Sequence, residues 1–269
     1  MPESNPSEAQ KTMHRLIGPD ASPTHPPRPD APQAPLQIGD HQLAPERVVE
    51  LLAPFMRDRR LNALRQIVAQ RTRTVVPVIE GIVNTGNVSA VMRSTEALGY
   101  QDLHVIDTGG RYKHSERTAK GAQRWLDVHQ WQHPEPCVSH LQKHGYRVLA
   151  MHLDAQAAPI DTVDFTKPTA LVFGNERDGV SEALRDAADG TCIIPMNGFT
   201  ESFNISVAAA IGLYHARQDR LKRQGHHIDL SEAAQQRLLA RFCLRSVNRA
   251  EAVLSRALRD AEAASDSTS

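Results

Sequence analysis

Apolar positions along this chain change their period twice. Between Pro45 and residue 74 they recur at helical spacing, at Val48, Leu51, Leu52 and Phe55 and then at Leu61, Leu64, Ile67 and Val68. This predicts two N-terminal helices, with Pro54 in the first turn of the second, where no backbone N–H is needed. From residue 75 short β-branched runs take over: VVPVIEGI (75–82), LHVI (103–106), RVLAMHL (147–153), TALVF (169–173) and CIIPM (192–196). Segments 87–98, 136–144 and 180–187 lie between them, each long enough for a crossover helix. That alternation predicts an α/β domain with a mainly parallel sheet and helices on both faces. Two long helices, over about 203–224 and 231–262, close the chain.

Composition sets the boundaries. Ten of the 17 prolines fall within residues 1–45, and no aromatic residue precedes Phe55. Such a stretch cannot bury enough apolar surface to offset its ordering entropy, so residues 1–44 are expected to form a disordered Pro-rich tail. A helical extension (45–74), a catalytic-type α/β domain (75–216) and a C-terminal helical extension (217–269) with a disordered end follow. No apolar run is long enough for a membrane span, and the N-terminus has no basic and apolar leader, so a cytoplasmic protein is expected. Cys137, Cys192 and Cys243 are far apart, which disfavours both a disulfide framework and a cysteine metal site.

Familiar nucleotide and metal motifs are absent: no GxGxxG follows a strand, and there is no P-loop and no HExxH. The 13 histidines read as ordinary solvated residues, and no metal is expected. Asn87-Val-Ser89 and Asn204-Ile-Ser206 match the glycosylation sequon, which carries no weight without a secretory leader.

Three other constellations carry chemistry. In NTGNVSAVMRSTEALGY (84–100) a strand ends and Asn87 is placed to cap a helix. Val88, Val91, Met92, Thr95 and Leu98 form its buried stripe, and Arg93 points off that stripe. Arg93 either faces a ligand in the crevice outside the strand ends or merely pairs with Glu96 three residues on. In LVFGNERDG (171–179) a strand runs into a turn between Gly174 and Gly179; the glycines suit close approach of a ligand, or a plain connection capped by Asp178 or Ser181. In CIIPMNGFTESFNISVAAAIGLYHA (192–216) a strand breaks at Pro195 and a polar loop delivers Ser202, Asn204 and Ser206 to a helix start. One cap would suffice there, so three polar groups suggest binding.

Asn87-x5-Arg93, Gly174-Asn-Glu176-x-x-Gly179 and Ser202-x-Asn204-x-Ser206, in that order, resemble the SpoU/TrmH family of RNA ribose 2′-O-methyltransferases, within the SPOUT superfamily. The likeness runs from about residue 46 to 220, and more weakly to about 242. It is greatest to the branch that methylates tRNA at guanosine 18, in tRNA's own numbering. The resemblance implies a deep trefoil knot in the C-terminal part of the domain, S-adenosylmethionine bound in it, and a homodimer that brings Arg93 close to the partner's knot. Met151, Gly174, Ile194 and Phe203 would line the cofactor pocket. Arg93 would be the catalytic base, assisted by substrate phosphate; because a guanidinium holds its proton tightly, the alternative is a charged Arg93 that clamps phosphate and stabilises the alkoxide. Asn87 would orient Arg93 or the ribose, while Glu176, Ser202 and Asn204 would hold the knot loops and the nucleotide. Relatives use a second arginine near position 218; here Gln218 stands between Arg217 and Arg220, either of which could substitute.

Charge supports an RNA partner. Residues 46–75 hold seven arginines against three acids, and residues 111–125 five bases against Glu116. Arg60, Arg117 and Lys120 are the expected phosphate contacts there. In the last helix Arg237, Arg241, Arg245 and Arg249 stand four apart, with no acid from 234 to 249, and form either an exposed RNA-binding stripe or partners for acids elsewhere. A ribosomal-RNA 2′-O-methyltransferase, and a non-catalytic RNA-binding module on the same fold, are the competing functions.

Overall fold

The computed structural model describes residues 35–81, 84–107, 114–175, 177–200 and 202–266, with side chains to residue 260. Residues 1–34 of the expected tail therefore lie outside the described residues. The rest of that tail is corrected. Strands β1 (Leu36–Ile38) and β2 (His41–Leu43) form an antiparallel hairpin. Gly39 turns it at φ +55°, in a two-residue Gly-Asp connection of the kind tight hairpins require. Leu36 and Ile38 are buried, so this short alternation outweighs the proline-rich composition around it.

Helix α1 (Pro45–Leu52) follows, and a single 3-10 turn containing Pro54 leads to α2 (Asp58–Val68). Pro54 thus belongs to the connection, not to the start of the second helix. The α/β domain then runs β3 (Val75–Glu80), α3 (Thr85–Ala97), β4 (Asp102–Ile106), α4 (Glu116–Ala119), β5 (Asp127–Trp131), α5 (Pro134–Lys143), β6 (Arg147–Met151), β7 (Ala158–Pro159), β8 (Thr169–Phe173), α6 (Glu182–Ala187), β9 (Gly190–Ile193) and α7 (Ile205–Gln224). The expected mainly parallel sheet is present: among the described residues, seven strands in the order β5-β4-β3-β8-β6-β9-β7, with all neighbours parallel.

Strand β3 shows how the layers arise. Val75 and Ile79 face a core shared with Val88, Val91 and Met92 of α3 and with Ala209 and Leu213 of α7. Val76 and Val78 face the opposite core, with Cys137, Val138 and Leu141 of α5 and Leu184 of α6. Helices therefore cover both faces, and a strand buried on both sides reads as a continuous apolar run. Pro77 is tolerated in this central strand because the ladder to β4 begins one residue later, at Val78. Strand β5, DVHQW, escaped the sequence reading because its polar edge pattern lacks a β-branched run.

The C-terminal helix is two helices, α8 (Glu232–Ser246) and α9 (Ala250–Asp266). Val247 is extended and Arg249 sits at φ +51°, so the chain bends between them. The two terminal extensions, separate in sequence, form one lobe: Leu36, Val48, Leu52, Leu61 and Leu64 share a core with Leu238, Leu239, Phe242 and Leu254.

Candidate functional site

The carboxyl ends of parallel strands are where such sheets expose backbone groups and bind ligands. Three expected cofactor residues meet there, on adjacent strands: Met151 ends β6, Gly174 follows β8 and Ile194 follows β9. Met151 Sδ lies 3.2 Å from Cys192 Sγ. The fourth, Phe203, is 40% exposed in the loop entering α7, and Leu153 and Phe199 are exposed apolar residues on neighbouring loops. The sequence reading missed these last two: Leu153 was included in the run 147–153, which the strand leaves at Met151, and Phe199 is a lone apolar residue inside a polar loop.

At Gly174 the chain itself comes close. A Cβ there would meet Gly179 C at 2.0 Å and Val180 N at 2.2 Å, so the close approach is by the chain itself. Asn175 and Gly179 exchange two backbone hydrogen bonds of 3.0 Å, and Asn175 Oδ1 accepts from the N–H groups of Arg177 and Asp178. Glu176 lies outside the described residues. The buried Glu80 carboxylate, at the end of β3, accepts from Ser181 N at 2.9 Å and Ser181 Oγ at 2.6 Å. Ser181 in turn caps α6, as its sequence position suggested.

At the start of α7, Asn204 is the cap: its Oδ1 accepts from Ser206 N at 2.9 Å and Ser206 Oγ at 2.6 Å. Two of the three polar groups therefore organise the helix start, and Ser202 is exposed. Asn87 is not a cap. Helix α3 begins two residues earlier and Asn84 Oδ1 accepts from Gly86 N at 2.8 Å. Asn87 sits in the first turn.

Arg93 is exposed on α3 and lines a cavity of about 250 Å³ at the junction of α2, α3, α8 and the 119–125 turn. Arg60 and Lys120 line it as well, so three of the expected functional cations share one space. Lys120 adopts φ +52°, a left-handed conformation that L residues rarely take outside turns and sites. Trp125, also missed from sequence, forms a wall, with the Arg60 guanidinium 5.0 Å from its ring centre and Phe242 packed against it. Arg117 is exposed on α4, close in sequence to this cavity. The anticipated Arg93–Glu96 pair is not formed: Glu96 Oε1 is 2.6 Å from Arg71 Nη2.

The arginine stripe of the last helix is not an exposed row. Arg241 Nη1 lies 3.0 Å and Arg245 Nη2 2.8 Å from Asp127, an acid brought in by β5, and Arg249 falls beyond the helix break. Arg73 joins the same cluster, 2.7 Å from Asp127, and also pairs with Asp102. Arg237 is half-buried on α8. Arg220, a candidate for the auxiliary arginine, is buried: it donates to the carbonyls of Phe165 and His227 at 3.1 Å and to Asp229 at 2.9 Å. Arg217 remains half-exposed.

The histidines need correction too. His104 is buried, stacks on His129 at 4.5 Å, lies beside His140 and accepts a hydrogen bond from Trp131 Nε1 at 3.0 Å. Burial, with His129 beside it, holds its pKa well below the ordinary imidazole value. Among the described residues no group of three His, Cys, Asp or Glu could hold a metal ion, and no helix is long and apolar enough to cross a membrane.

Residues 74–214 match the model of the SpoU rRNA methylase family. The chain is 32% identical over 188 residues to the tRNA (guanosine(18)-2′-O)-methyltransferase of Escherichia coli K12, covering 68% of this chain and 82% of that enzyme. It is 30% identical over 163 residues to a 23S rRNA (guanosine-2′-O-)-methyltransferase of Xanthomonas campestris, covering 60% and 65% respectively. The crystal structure of the TrmH/SpoU tRNA modifying enzyme of Aquifex aeolicus superposes with a TM-score of 0.66 at 30% identity, over 71% of this chain and 98% of that one.

Proposed function

The chain belongs to the SpoU rRNA methylase family, and from that premise we propose that it transfers a methyl group from S-adenosylmethionine to a ribose 2′-oxygen of tRNA, at guanosine 18. The observation that carries this reading is the meeting of Arg60, Arg93 and Lys120 on one cavity, with Arg93 on the helix that follows the central strand. The name of the Escherichia coli relative supports the choice of tRNA.

The residues at the carboxyl edge suit the cofactor. Met151 and Ile194 are half-buried, Phe203 is exposed, and the loops after β8 and β9 offer backbone groups to a mixed apolar and polar ligand. Bound there, S-adenosylmethionine supplies an electrophilic methyl group. The loops carrying Gly174, Glu176, Ser202 and Asn204 form the trefoil knot in this reading, with the amide N–H groups of Asn204 free to donate while its oxygen caps α7. Arg93 stays charged, clamps an RNA phosphate bidentately and stabilises the developing alkoxide while the 2′-hydroxyl proton passes to that phosphate or to solvent water, and Asn87 orients it. Arg60, Arg117 and Lys120 bind flanking phosphates, and Arg237 adds a further contact; Arg241 and Arg245 serve the fold first through Asp127.

Within one protomer the cavity lined by Arg93 includes none of Met151, Gly174, Ile194 and Phe203, so the two sets are separate. A homodimer resolves that separation, and Val207 and Tyr214 on α7, with Phe203 in the loop before it, present exposed apolar side chains suited to a second copy. The cytoplasm is the site of action in this proposal.

Labelled S-adenosylmethionine incubated with unmodified tRNA and with 23S rRNA, followed by mapping of the methylated ribose, tests the substrate. Label at guanosine 18 of tRNA is expected; label confined to rRNA would reassign it. Arg93→Ala should slow turnover at least 100-fold with unchanged cofactor affinity by calorimetry, and near-wild-type turnover would remove Arg93 from the mechanism.

A further inference from the structure

We propose that Arg71 is a positioning residue: by holding the Glu96 carboxylate it leaves Arg93 unpaired and available to RNA. The inference rests on the role given to Arg93 above. Residues three apart on a helix are neighbours, so Glu96 is within natural reach of Arg93, and an exposed pair would form by default. Glu96 is the only acid among the described residues that line the cavity; the cations there are Arg60, Arg93 and Lys120. A carboxylate loose in that space would neutralise one of the three, with Arg93 the nearest along the helix.

Arg71 prevents this by geometry. It is 1% exposed, and its Nη2 meets Glu96 Oε1 at 2.6 Å. Its Nη1 donates to the carbonyls of Glu96 at 3.1 Å, in the last turn of α3, and of Tyr100 at 3.0 Å, just beyond it. The guanidinium is thereby fixed by three acceptors, and it draws the Glu96 carboxylate away from solvent, which leaves that side chain only 26% exposed. The rigid planar fork of a guanidinium holds these acceptors in one fixed geometry, which a lysine ammonium, a rotating point charge on a flexible stem, would not. Being buried, Arg71 cannot reach a phosphate itself; its effect on RNA runs through Glu96 and Arg93.

The test compares wild type, Arg71→Met, Glu96→Gln and the double variant Arg71→Met/Glu96→Gln. Methyl transfer to tRNA should fall about tenfold or more in kcat for Arg71→Met and recover most of that loss in the double variant. A purely structural Arg71 also allows recovery of stability in the double variant, since Glu96→Gln removes the carboxylate left without a partner, but it predicts an unchanged kcat per folded molecule and an unchanged salt slope in Arg71→Met. Equilibrium binding of tRNA to the cofactor-free protein gives a readout independent of turnover. The slope of log affinity against log salt should become shallower by about one phosphate contact in Arg71→Met and return in the double variant. If Arg71→Met fails to fold, Arg71→Gln, which keeps donors for the carbonyls without the charge, replaces it in both variants. Unchanged kcat and slope in the single variant, or no recovery in the double, would overturn the proposal. Near-wild-type turnover of Arg93→Ala would instead strike the role of Arg93, and the salt slopes would still report whether Glu96 neutralises the cavity once Arg71 is gone.

Discussion

Asp127→Asn removes one negative charge and almost no volume, so its effect isolates the electrostatics that join the helical lobe to the sheet edge. Asp127 is 6% exposed, and its two oxygens receive Arg73 at 2.7 Å, Arg245 at 2.8 Å and Arg241 at 3.0 Å. Removing one partner of a buried pair costs about 3–5 kcal/mol, because the other charges stay desolvated without compensation. Here Arg241 and Arg245 keep 33% and 20% side-chain exposure and Arg73 keeps Asp102, so water and that acid recover part of the loss. The expected cost is therefore near the lower limit, about 3 kcal/mol, or roughly 6–12 °C in Tm for a chain of this size. The acid dependence follows from linkage. Burial alone would raise the Asp127 pKa, but Arg241, Arg73 and Arg245 outweigh it and hold the carboxyl well below the usual range. A depressed folded pKa gives stability that is complete above the unfolded value, about 3.9, and is lost as pH falls through the folded one. Urea and thermal melts at pH 7 should thus separate wild type from Asp127→Asn, and the gap should close progressively below about pH 5. A difference under about 1 kcal/mol at pH 7, or a gap that persists undiminished at pH 3, would refute the reasoning.

Two further predictions concern the domain itself. Gly174→Ala should cost more than about 3 kcal/mol in a denaturant melt, because the new methyl meets backbone atoms of Gly179 and Val180 that cannot rotate away; a wild-type midpoint would sink the account. His104 is kept neutral by burial and by His129, so the unfolded chain takes up a proton that the folded imidazole refuses, and stability should fall as pH drops below about 6.5, by up to about 1.4 kcal/mol per unit for this group. His104→Gln should flatten that slope only in part, since burial and Arg220 also depress His227, to about 4, and a slope identical to wild type would exclude His104 as its source.

Much of the fold was legible because its signals are local. The runs 75–82, 103–106, 147–153, 169–173 and 192–196 each contain or overlap a strand of the sheet, since parallel strands buried on both faces must be apolar throughout. Strand β5 was not legible: at the sheet edge only Asp127 of its five residues is fully buried, and Asp127 and His129 are stabilised by partners distant in sequence. The hairpin before α1 carried a readable Ile-Gly-Asp-His turn that the surrounding prolines concealed. Boundaries failed where capping decided them, as at Asn84, which took the role expected of Asn87. At the site, the family resemblance rather than spacing named Met151, Gly174 and Ile194, which stand at the ends of three adjacent strands, yet it could not tell whether the room made by Gly174 serves a ligand or the chain.

Charge was the least legible property, for a physical reason. A local excess of arginine counts cations along the chain, whereas their partners are assigned in space. Of the seven arginines in residues 46–75, Arg47 pairs with Glu50, Arg71 with Glu96, and Arg73 with Asp102 and Asp127, while Arg57, Arg59, Arg60 and Arg65 are exposed around α2. The stripe at 241 and 245 is divided by the same rule, because Asp127 comes from a strand more than a hundred residues away. Acids placed by the fold thus sort the basic residues into those held in ion pairs and those that remain for a polyanion. The second set, Arg60, Arg93 and Lys120 with Trp125 between them, converges on one cavity at the seam of lobe and sheet. The lobe therefore builds a wall of the candidate site, and variants that loosen it at Asp127 should lose RNA affinity together with stability.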